Sequence, residues 1–250
     1  MDKRRFPFPI DPDSAGGNPA VGFISPVAGA GATTLACLTA LSLAESKKKV
    51  ALVDLSPAGK IRVCMGMAVN DCPESVLDVM GINESSKIHS AGVNHPRSVF
   101  IIPGVARPLD VPQVTSKIVN KVICYLKKEF DITIALLPPI YDTGWAGAIL
   151  CDMICCVFKP DRADLDCCGS LLELLFRLGC GGRVKVLLNQ CKAPGALLEE
   201  EVVEILKPDL SIQYDSSLRA MCNKRYLNTE QYKKPLINLI EGGLRYDTKG

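Results

Sequence analysis

A run of small residues follows the first apolar stretch of the sequence and has the composition of a phosphate-binding loop. The segment from Ala20 to Ser25 is apolar, and the ten residues from Ser25 to Thr34 read SPVAGAGATT. Small side chains let several backbone N–H groups converge, and a helix that begins there adds the positive end of its dipole. Both features bind phosphate without a charged side chain. The candidate nucleotide-binding residues in this loop are Gly29, Ala30, Gly31, Ala32, Thr33 and Thr34.

Two phosphate-binding motifs compete for this loop. The dinucleotide fingerprint needs a third glycine where Thr34 stands, and it turns sharply at the end of the strand, whereas three residues precede Gly29 here. The P-loop fits better, because a long loop leads to Gly31 and then to Thr33, where a magnesium-binding hydroxyl is expected. The phosphate-binding lysine of that motif is missing, since Ala32 occupies its position.

The loop resembles the deviant P-loop of the MinD/ParA family, which runs G-K-G-G-x-G-K-T-T. Residues 26–34 overlay that pattern without a gap. Val27 stands where the family's signature lysine would reach across a dimer, and Ala32 stands where the second lysine would bind phosphate. The positions that are kept are Gly29, Gly31, Thr33 and Thr34.

Later segments carry the same resemblance, in order, between about Val21 and Leu239. They are VDLSPAG (53–59), FDITIALLPPIYDTG (130–144), Asn189–Gln190 and SIQYDSSLR (211–219). Asp54 is kept, but Ser56 stands at the usual catalytic aspartate and Leu136 replaces the aspartate on the magnesium side. The resemblance implies that Asn189 faces the adenine of a nucleotide.

These replacements predict a nucleotide site without its catalytic charges. ATP hydrolysis requires the charge on the transferring phosphoryl group to be neutralised, mostly by lysine and magnesium. Two cations and two carboxylates are lost together, at Val27, Ala32, Ser56 and Leu136. Asp54 and Asp142 remain, but they do not replace those groups. We expect no meaningful ATPase activity and weak binding of ATP or ADP with magnesium. The absence of any nucleotide binding stays open as the alternative.

The candidate site residues also have purely structural interpretations. Glycines are kept wherever a turn needs them, and Thr33 and Thr34 suit the start of a helix. Asp54 would serve equally as an N-cap or loop residue, and Asn189 as a residue that caps its own loop. The residues alone leave both interpretations open.

Composition favours a cytoplasmic protein with reduced thiols. The 250 residues are 48% hydrophobic with a formal net charge of +2, so no global field attracts DNA or anionic lipid. No apolar stretch reaches the length of a membrane span, and the basic N-terminus lacks the apolar centre of a secretory signal. The twelve cysteines contain no C-x-x-C motif, and we interpret them as small buried hydrophobes rather than metal ligands.

The order of elements predicts an α/β fold. Seven apolar runs, mostly separated by helical patterns, indicate a doubly wound, mostly parallel sheet of about seven strands with helices on both faces. One helix is predicted from Ala32 to about Glu45 and another from Val111 to Phe130. We expect a polar N-terminal tail over residues 1–19 and one P-loop domain over residues 20–250.

The leading functional hypothesis is a non-hydrolysing adaptor or localisation protein. The CpaE/TadZ branch of the family also lacks the P-loop lysine and is associated with positioning pilus or secretion machinery at the cell pole. That branch carries a receiver-like N-terminal domain, whereas here we expect only a tail before the P-loop domain. The expected partner is another protein or a second copy, bound through the P-loop face. A slow or partner-activated ATPase and a cysteine-based redox or metal sensor are the alternatives. The charge pattern gives no strong nucleic-acid or membrane signal.

Overall fold

An eight-stranded sheet forms the centre of the computed structural model, which describes residues 17–57, 59–68 and 72–246 except for the side chains at 141, 142, 245 and 246. The strands, in chain order, are β1 (Ala20–Ile24), β2 (Val50–Asp54), β3 (Val93–His95), β4 (Val99–Ile102), β5 (Ile132–Leu136), β6 (Met153–Phe158), β7 (Val184–Cys191) and β8 (Leu210–Gln213). Their spatial order is β3-β4-β2-β5-β1-β6-β7-β8, and β3 alone among them runs antiparallel to its neighbour. Residues 1–16 of the predicted tail lie outside the described residues.

The central strands are buried on both faces. Every residue of β1, β2, β5 and β6 is buried, and each strand reads as an almost continuous apolar run such as AVGFI or MICCVF. This is the pattern of a parallel sheet covered by helices on both sides. The predicted fold class, a doubly wound and mostly parallel sheet, is therefore confirmed.

Helices cover the sheet in two layers. The α-helices are α1 (Ala32–Ala44), α2 (Ile61–Cys64), α3 (Ser116–Glu129), α4 (Trp145–Leu150), α5 (Arg162–Arg177), α6 (Glu199–Leu206), α7 (Ser216–Asn223) and α8 (Glu230–Tyr246). Shorter 3₁₀ segments cover Val76–Gly81, Ser85–Ala91, Pro108–Gln113 and Gly181–Arg183, and a π-turn covers Ile140–Gly144. One hydrophobic cluster packs α3, α4, α5 and α6 on one face, and a second packs α1, α2 and α8 on the other.

Two element predictions differ from the structure. The helix predicted from Val111 is a 3₁₀ segment as far as Gln113, and α3 begins only after Thr115, whose backbone is extended. Pro112 lies inside that segment and has no N–H to donate, which disfavours an α-helix there. The eighth strand, β3, was not predicted, because its three residues are partly exposed and include a polar Asn–His pair.

Every helix in the described part of the chain is too short or too polar to span a bilayer.

Candidate functional site

The loop between β1 and α1 lies at the middle of the sheet's carboxyl edge. Strand β1 is flanked by β5 and β6, and all three run parallel, so their carboxyl ends meet at one edge. Crevices at such edges are where open α/β sheets bind ligands. Thr33 and Thr34 are half-buried in the first turn of α1, whereas Ala30 of the loop is fully buried.

Two glycines give this loop its course. Gly29 and Gly31 have φ angles of +92° and +100°, in the left-handed region that other residues rarely adopt. Gly31 is the N-cap of α1, and the first hydrogen bond of the helix runs from Leu35 N–H to Gly31 O at 2.9 Å. The N–H groups of Ala32, Thr33 and Thr34 therefore have no acceptor within the helix. They form the positive end of the α1 dipole, which is suited to an anion.

The side chains of Asn189 and Gln190, near the end of β7, form hydrogen bonds with the loop between β1 and α1. Asn189 Nδ2 donates to Ala30 O at 2.8 Å, and Gln190 Nε2 donates to Gly29 O at 2.8 Å. Asn189 is 4% exposed, so its bond to Ala30 is shielded from water. Gln190 has a φ of +63°, at an irregular point in the pairing of β7 with β8. The two amides therefore fix two carbonyl groups of the loop.

This contact gives Asn189 a role that sequence reasoning missed. The structure brings Asn189 to the predicted site, but its amide contacts the P-loop backbone rather than its own loop. Its predicted contact with adenine stays a prediction. Gln190 was not among the predicted site residues. The signal for it was two amide residues directly after the apolar run VKVLL, at the end of a buried strand.

The Asp54 carboxylate, at the end of β2, is hydrogen-bonded to the segment that follows this strand. It is fully buried, and its carboxylate accepts bonds from Ser56 N–H at 3.0 Å, Ser56 Oγ at 2.6 Å and Ile61 N–H at 3.0 Å. Burial raises the pKa of Asp54, and these hydrogen bonds together with the nearby Arg62 guanidinium oppose the shift. Both carboxylate oxygens are therefore used in fixing the turn that leads to α2.

The four positions that lack charge lie in the loop, at the start of α1, just after β2 and at the end of β5. Val27 is half-buried, Ala32 is 9% exposed and Leu136 is 4% exposed. Ser56 donates its hydroxyl to Asp54 and so cannot replace a catalytic carboxylate. Leu136 lies beside β1 and β2, and its carbonyl accepts from Leu55 N–H at 2.9 Å. The loop therefore offers phosphate its backbone and helix dipole without a lysine.

Similarity to known proteins is seen in structure rather than in sequence. No family model matches the sequence, and no curated protein matches it. A ParA family ATPase from Chlorobium tepidum superposes with a TM-score of 0.76 at 18% identity, over 89% of this chain and 97% of that one. The septum site-determining protein MinD of Pyrococcus horikoshii, solved with Mg-ADP, gives 0.76 at 17% identity, over 90% and 96%. A chain of the MinC:MinD cell division protein complex from Aquifex aeolicus gives a TM-score of 0.70 at 21% identity, over 90% of this chain and 96% of that one.

The chain has the MinD/ParA fold.

Within the MinD/ParA fold, the residues present suit phosphate better than magnesium. A Cβ added at Gly29 would meet no atom within 4 Å, so this side of the loop is open to a ligand. A magnesium ion prefers six oxygen ligands and usually one or two carboxylates. Among the described side chains, Thr33 offers a hydroxyl, Asp54 is already bound and Leu136 is apolar. The Asp142 side chain lies outside the described residues.

A buried carboxylate also lies at this edge of the MinD/ParA fold, in the first turn of α5. Asp164 is fully buried, and its Oδ1 accepts from Lys159 N–H at 3.2 Å. Its Oδ2 has no hydrogen-bond partner among the described residues. Burial, and to a smaller extent the charge of Asp161, raise the pKa of Asp164 to about 6. Asp164 is therefore mostly ionised at neutral pH, but its ionisation is less favourable in the folded protein than in the unfolded chain.

Asp164→Asn is expected to stabilise the protein at pH 7. Because the folded-state pKa exceeds the ordinary value near 3.9, protonation of Asp164 favours folding at low pH. That contribution is complete below about pH 4 and is lost as the pH rises through about 6. The free energy of unfolding at pH 7 should rise by up to about 3 kcal/mol in the variant. Urea unfolding at pH 4.5 and pH 7 measures it.

The exposed residue Asp166, two positions along the same helix, supplies the matched control. Asp166→Asn should change the free energy of unfolding little at either pH, since a solvated carboxylate keeps its ordinary hydration. A gain at pH 7 that is the same in both variants would contradict the burial argument for Asp164.

Proposed function

We propose that this chain is a degenerate member of the MinD/ParA family that acts as a non-hydrolysing adaptor or localisation protein. The observation that carries the proposal is a phosphate-loop backbone that keeps its shape while the charges required for hydrolysis are absent. Gly29 and Gly31 keep their left-handed conformations, whereas Val27, Ala32, Ser56 and Leu136 supply no cation and no free carboxylate. As a localisation protein in the cytoplasm, it would resemble the CpaE/TadZ branch.

In this proposal the chain binds nucleotide weakly but does not hydrolyse it, and the missing charges explain the difference. A helix N-terminus stabilises a nearby anion by about 0.3–1 kcal/mol, up to about 2 in partly buried sites. A lysine–phosphate hydrogen bond adds about 1.5–3 kcal/mol. The loop retains the first contribution and lacks the second, so ATP or ADP binds weakly, with any magnesium carried by the nucleotide's own phosphates. The transition state for hydrolysis, which needs the cations most, is not stabilised.

The contacts made by Asn189 and Gln190 support a role in protein binding. These side chains bind Ala30 and Gly29 from β7, so protein groups fix the loop without a nucleotide. A surface that keeps its shape without a ligand is suited to rigid docking. The partner would be another protein or a second copy, seated on the P-loop face without the repulsion between bound phosphates. The MinC:MinD complex is a precedent for a fold neighbour that binds another protein.

Titration calorimetry with ATP and ADP plus magnesium tests the proposal. Wild type is expected to bind with a dissociation constant of about 0.1 mM or weaker, which corresponds to about −5.5 kcal/mol or less favourable. Ala32→Lys should tighten binding by about 10-fold or more, because it restores one charge-assisted contact. Light scattering on the same samples should show an assembly state that does not change with nucleotide.

Ala32→Gln is the matched control, since glutamine adds a long side chain at the same position without a charge. It should bind nucleotide as weakly as wild type. Micromolar binding by wild type that Ala32→Lys does not improve would overturn the proposal, as would assembly that appears only with ATP. Either result would favour a nucleotide-gated member of the family.

A further inference from the structure

An open groove runs along α3, on the face of the sheet opposite to α1. The cavity has a volume of about 670 Å³ and is lined by α3 together with Met80 and Asn83, at the end of the 3₁₀ segment Val76–Gly81 and just after it. The lysines of α3 that line the groove are Lys117, Lys121 and Lys128. Spacings of four and seven residues place them on one side of the helix, over about 16 Å of its length.

The α3 groove is positively charged and partly apolar. None of the residues that line it is acidic. Lys121 is held in place, because its Nζ donates to Met80 O at 3.0 Å and lies 5.8 Å from the centre of the Tyr125 ring. Lys117 and Lys128 are exposed, and neither forms an ion pair within the part of the chain that the structure describes. The Met80 side chain is 61% exposed beside them, so a fitting partner brings both carboxylates and apolar side chains.

Helix α6 carries the complementary side chains. Val202 and Leu206 are buried and anchor the helix to the core. Leu198 and Ile205 are 64% and 61% exposed, and a spacing of seven residues places them on the same side of the helix. The exposed carboxylates of α6, which form no ion pair among the described residues, are those of Glu200, Glu201 and Glu204. These three glutamates with Leu198 and Ile205 form the α6 surface, which is acidic and apolar.

The α3 groove and the α6 surface belong to separate parts of the same sheet face. Helix α3 packs on β5 and α6 packs on β7, and two strands, β1 and β6, lie between these strands in the sheet. Three strand spacings correspond to about 14 Å. On the other side of α3, the groove is bounded by a segment that is bonded to the end of β4, through Val76 N–H and Pro103 O at 2.8 Å. The α6 surface therefore cannot fill the groove of its own chain.

We propose that the α6 surface of one copy docks into the α3 groove of a second copy, with its carboxylates against Lys117 and Lys128 and its apolar side chains against Met80. Helix α6 has eight residues and is about 12 Å long, so it fits within the 16 Å of the lysine stripe. Opposite charges favour this pairing and disfavour contact of either surface with its own kind. The inference goes beyond the proposed adaptor function and does not depend on it, since no P-loop residue takes part.

A contact between two different surfaces is heterologous, and it leaves one groove and one α6 surface free at the ends of each assembly. Such contacts produce rings when the rotation closes and open chains when it does not. Exposed ion pairs are individually weak and are screened by salt. We therefore expect association that is weak, progressive with concentration and strongest at low ionic strength.

Sedimentation velocity of the full chain tests the proposal. In about 50 mM salt the mean mass should rise between about 10 and 300 µM and pass that of a dimer, because each added copy offers a free surface to the next. In about 0.5 M salt the apparent dissociation constant should weaken by about 10-fold or more. A single species at every concentration in low salt would overturn the proposal and would favour an acidic segment of a different protein as the occupant of the groove.

Reversal of charge on each surface identifies the contact. One double variant, Lys117→Glu with Lys128→Glu, makes the groove acidic, and the other, Glu201→Lys with Glu204→Lys, makes the α6 surface basic. Each alone should associate about 10-fold more weakly than wild type or worse, because like charges then face each other. An equimolar mixture of the two should associate as wild type does, since every acidic α6 surface meets a basic groove and every basic α6 surface meets an acidic groove.

Lys224→Glu with Lys234→Glu is the matched control. It changes the net charge as much as the groove variant does, but at exposed positions at the end of α7 and on α8. It should associate as wild type does, and all variants should keep the wild-type circular dichroism spectrum and nucleotide affinity. A control that associates as weakly as the groove variant, or a mixture of the two reversed variants that stays dissociated, shows that the surfaces do not pair and overturns the proposal.

Discussion

Gly31→Ala is expected to lower the free energy of unfolding by about 3 kcal/mol, which is the largest stability effect that we expect from one methyl group near this loop. Gly31 has a φ of +100°, and an added Cβ would overlap the Asn189 amide nitrogen. A strained backbone conformation costs about 1–3 kcal/mol, and overpacking costs about 1–3 kcal/mol more. Asn189 cannot move away without breaking its buried bond to Ala30. Guanidinium unfolding measures the loss.

Gly29→Ala is the matched control for that result. Gly29 has a similar φ of +92°, but an added Cβ would meet nothing within 4 Å. It should therefore lose only the backbone contribution, about 1 kcal/mol. In Gly31→Ala combined with Asn189→Ala, the overlap is relieved, so the combined loss should be smaller than the sum of the two single losses. Equal losses for the two glycine variants would show that Asn189 does not press on Gly31.

ATP turnover by the purified chain is expected to be indistinguishable from the protein-free rate. One preorganised donor at a developing charge contributes about 10²–10³ in rate, and this site lacks the charges of four positions. Ala32→Lys alone should remain at background, because catalytic groups that act together are not additive. Phosphate release measured with excess ATP and magnesium over several hours tests this expectation. The restored lysine is thus expected to improve binding but not hydrolysis.

The control for turnover must separate this chain from a contaminating ATPase. A preparation of Gly31→Ala made in the same way carries the same contaminants but a distorted loop. Phosphate release that wild type shows and this variant lacks would contradict the prediction and favour the slow-ATPase alternative. Release that appears only when a second protein is added would favour the partner-activated alternative, in which the missing cation is supplied in trans as arginine fingers do.

Local sequence patterns were sufficient to predict the elements that position the site. Strand β1 begins at Ala20 and helix α1 begins at Ala32, as predicted. These elements are continuous apolar runs that end at proline, glycine or charged residues, so burial and backbone chemistry act over a few neighbouring positions. The same reasoning failed for residues 111–115, where a proline favours a 3₁₀ turn, and for β3, whose three residues form a strand only because β4 is beside them.

The sequence by itself determined the class of fold and the loss of charge around the loop, because residue identity alone says whether a lysine or an aspartate is present. Only the tertiary structure decided how the remaining groups are used. The bond from Asn189 to Ala30 joins residues 159 positions apart. The sequence alone did not predict the hydrogen-bond partners of Asp54 either, although they are only a few positions away. Its bonds to Ser56 and Ile61 depend on the path of the turn between them. Hydrogen-bond partners of this kind are set by how strands and helices pack, and packing depends on the whole chain rather than on any local pattern.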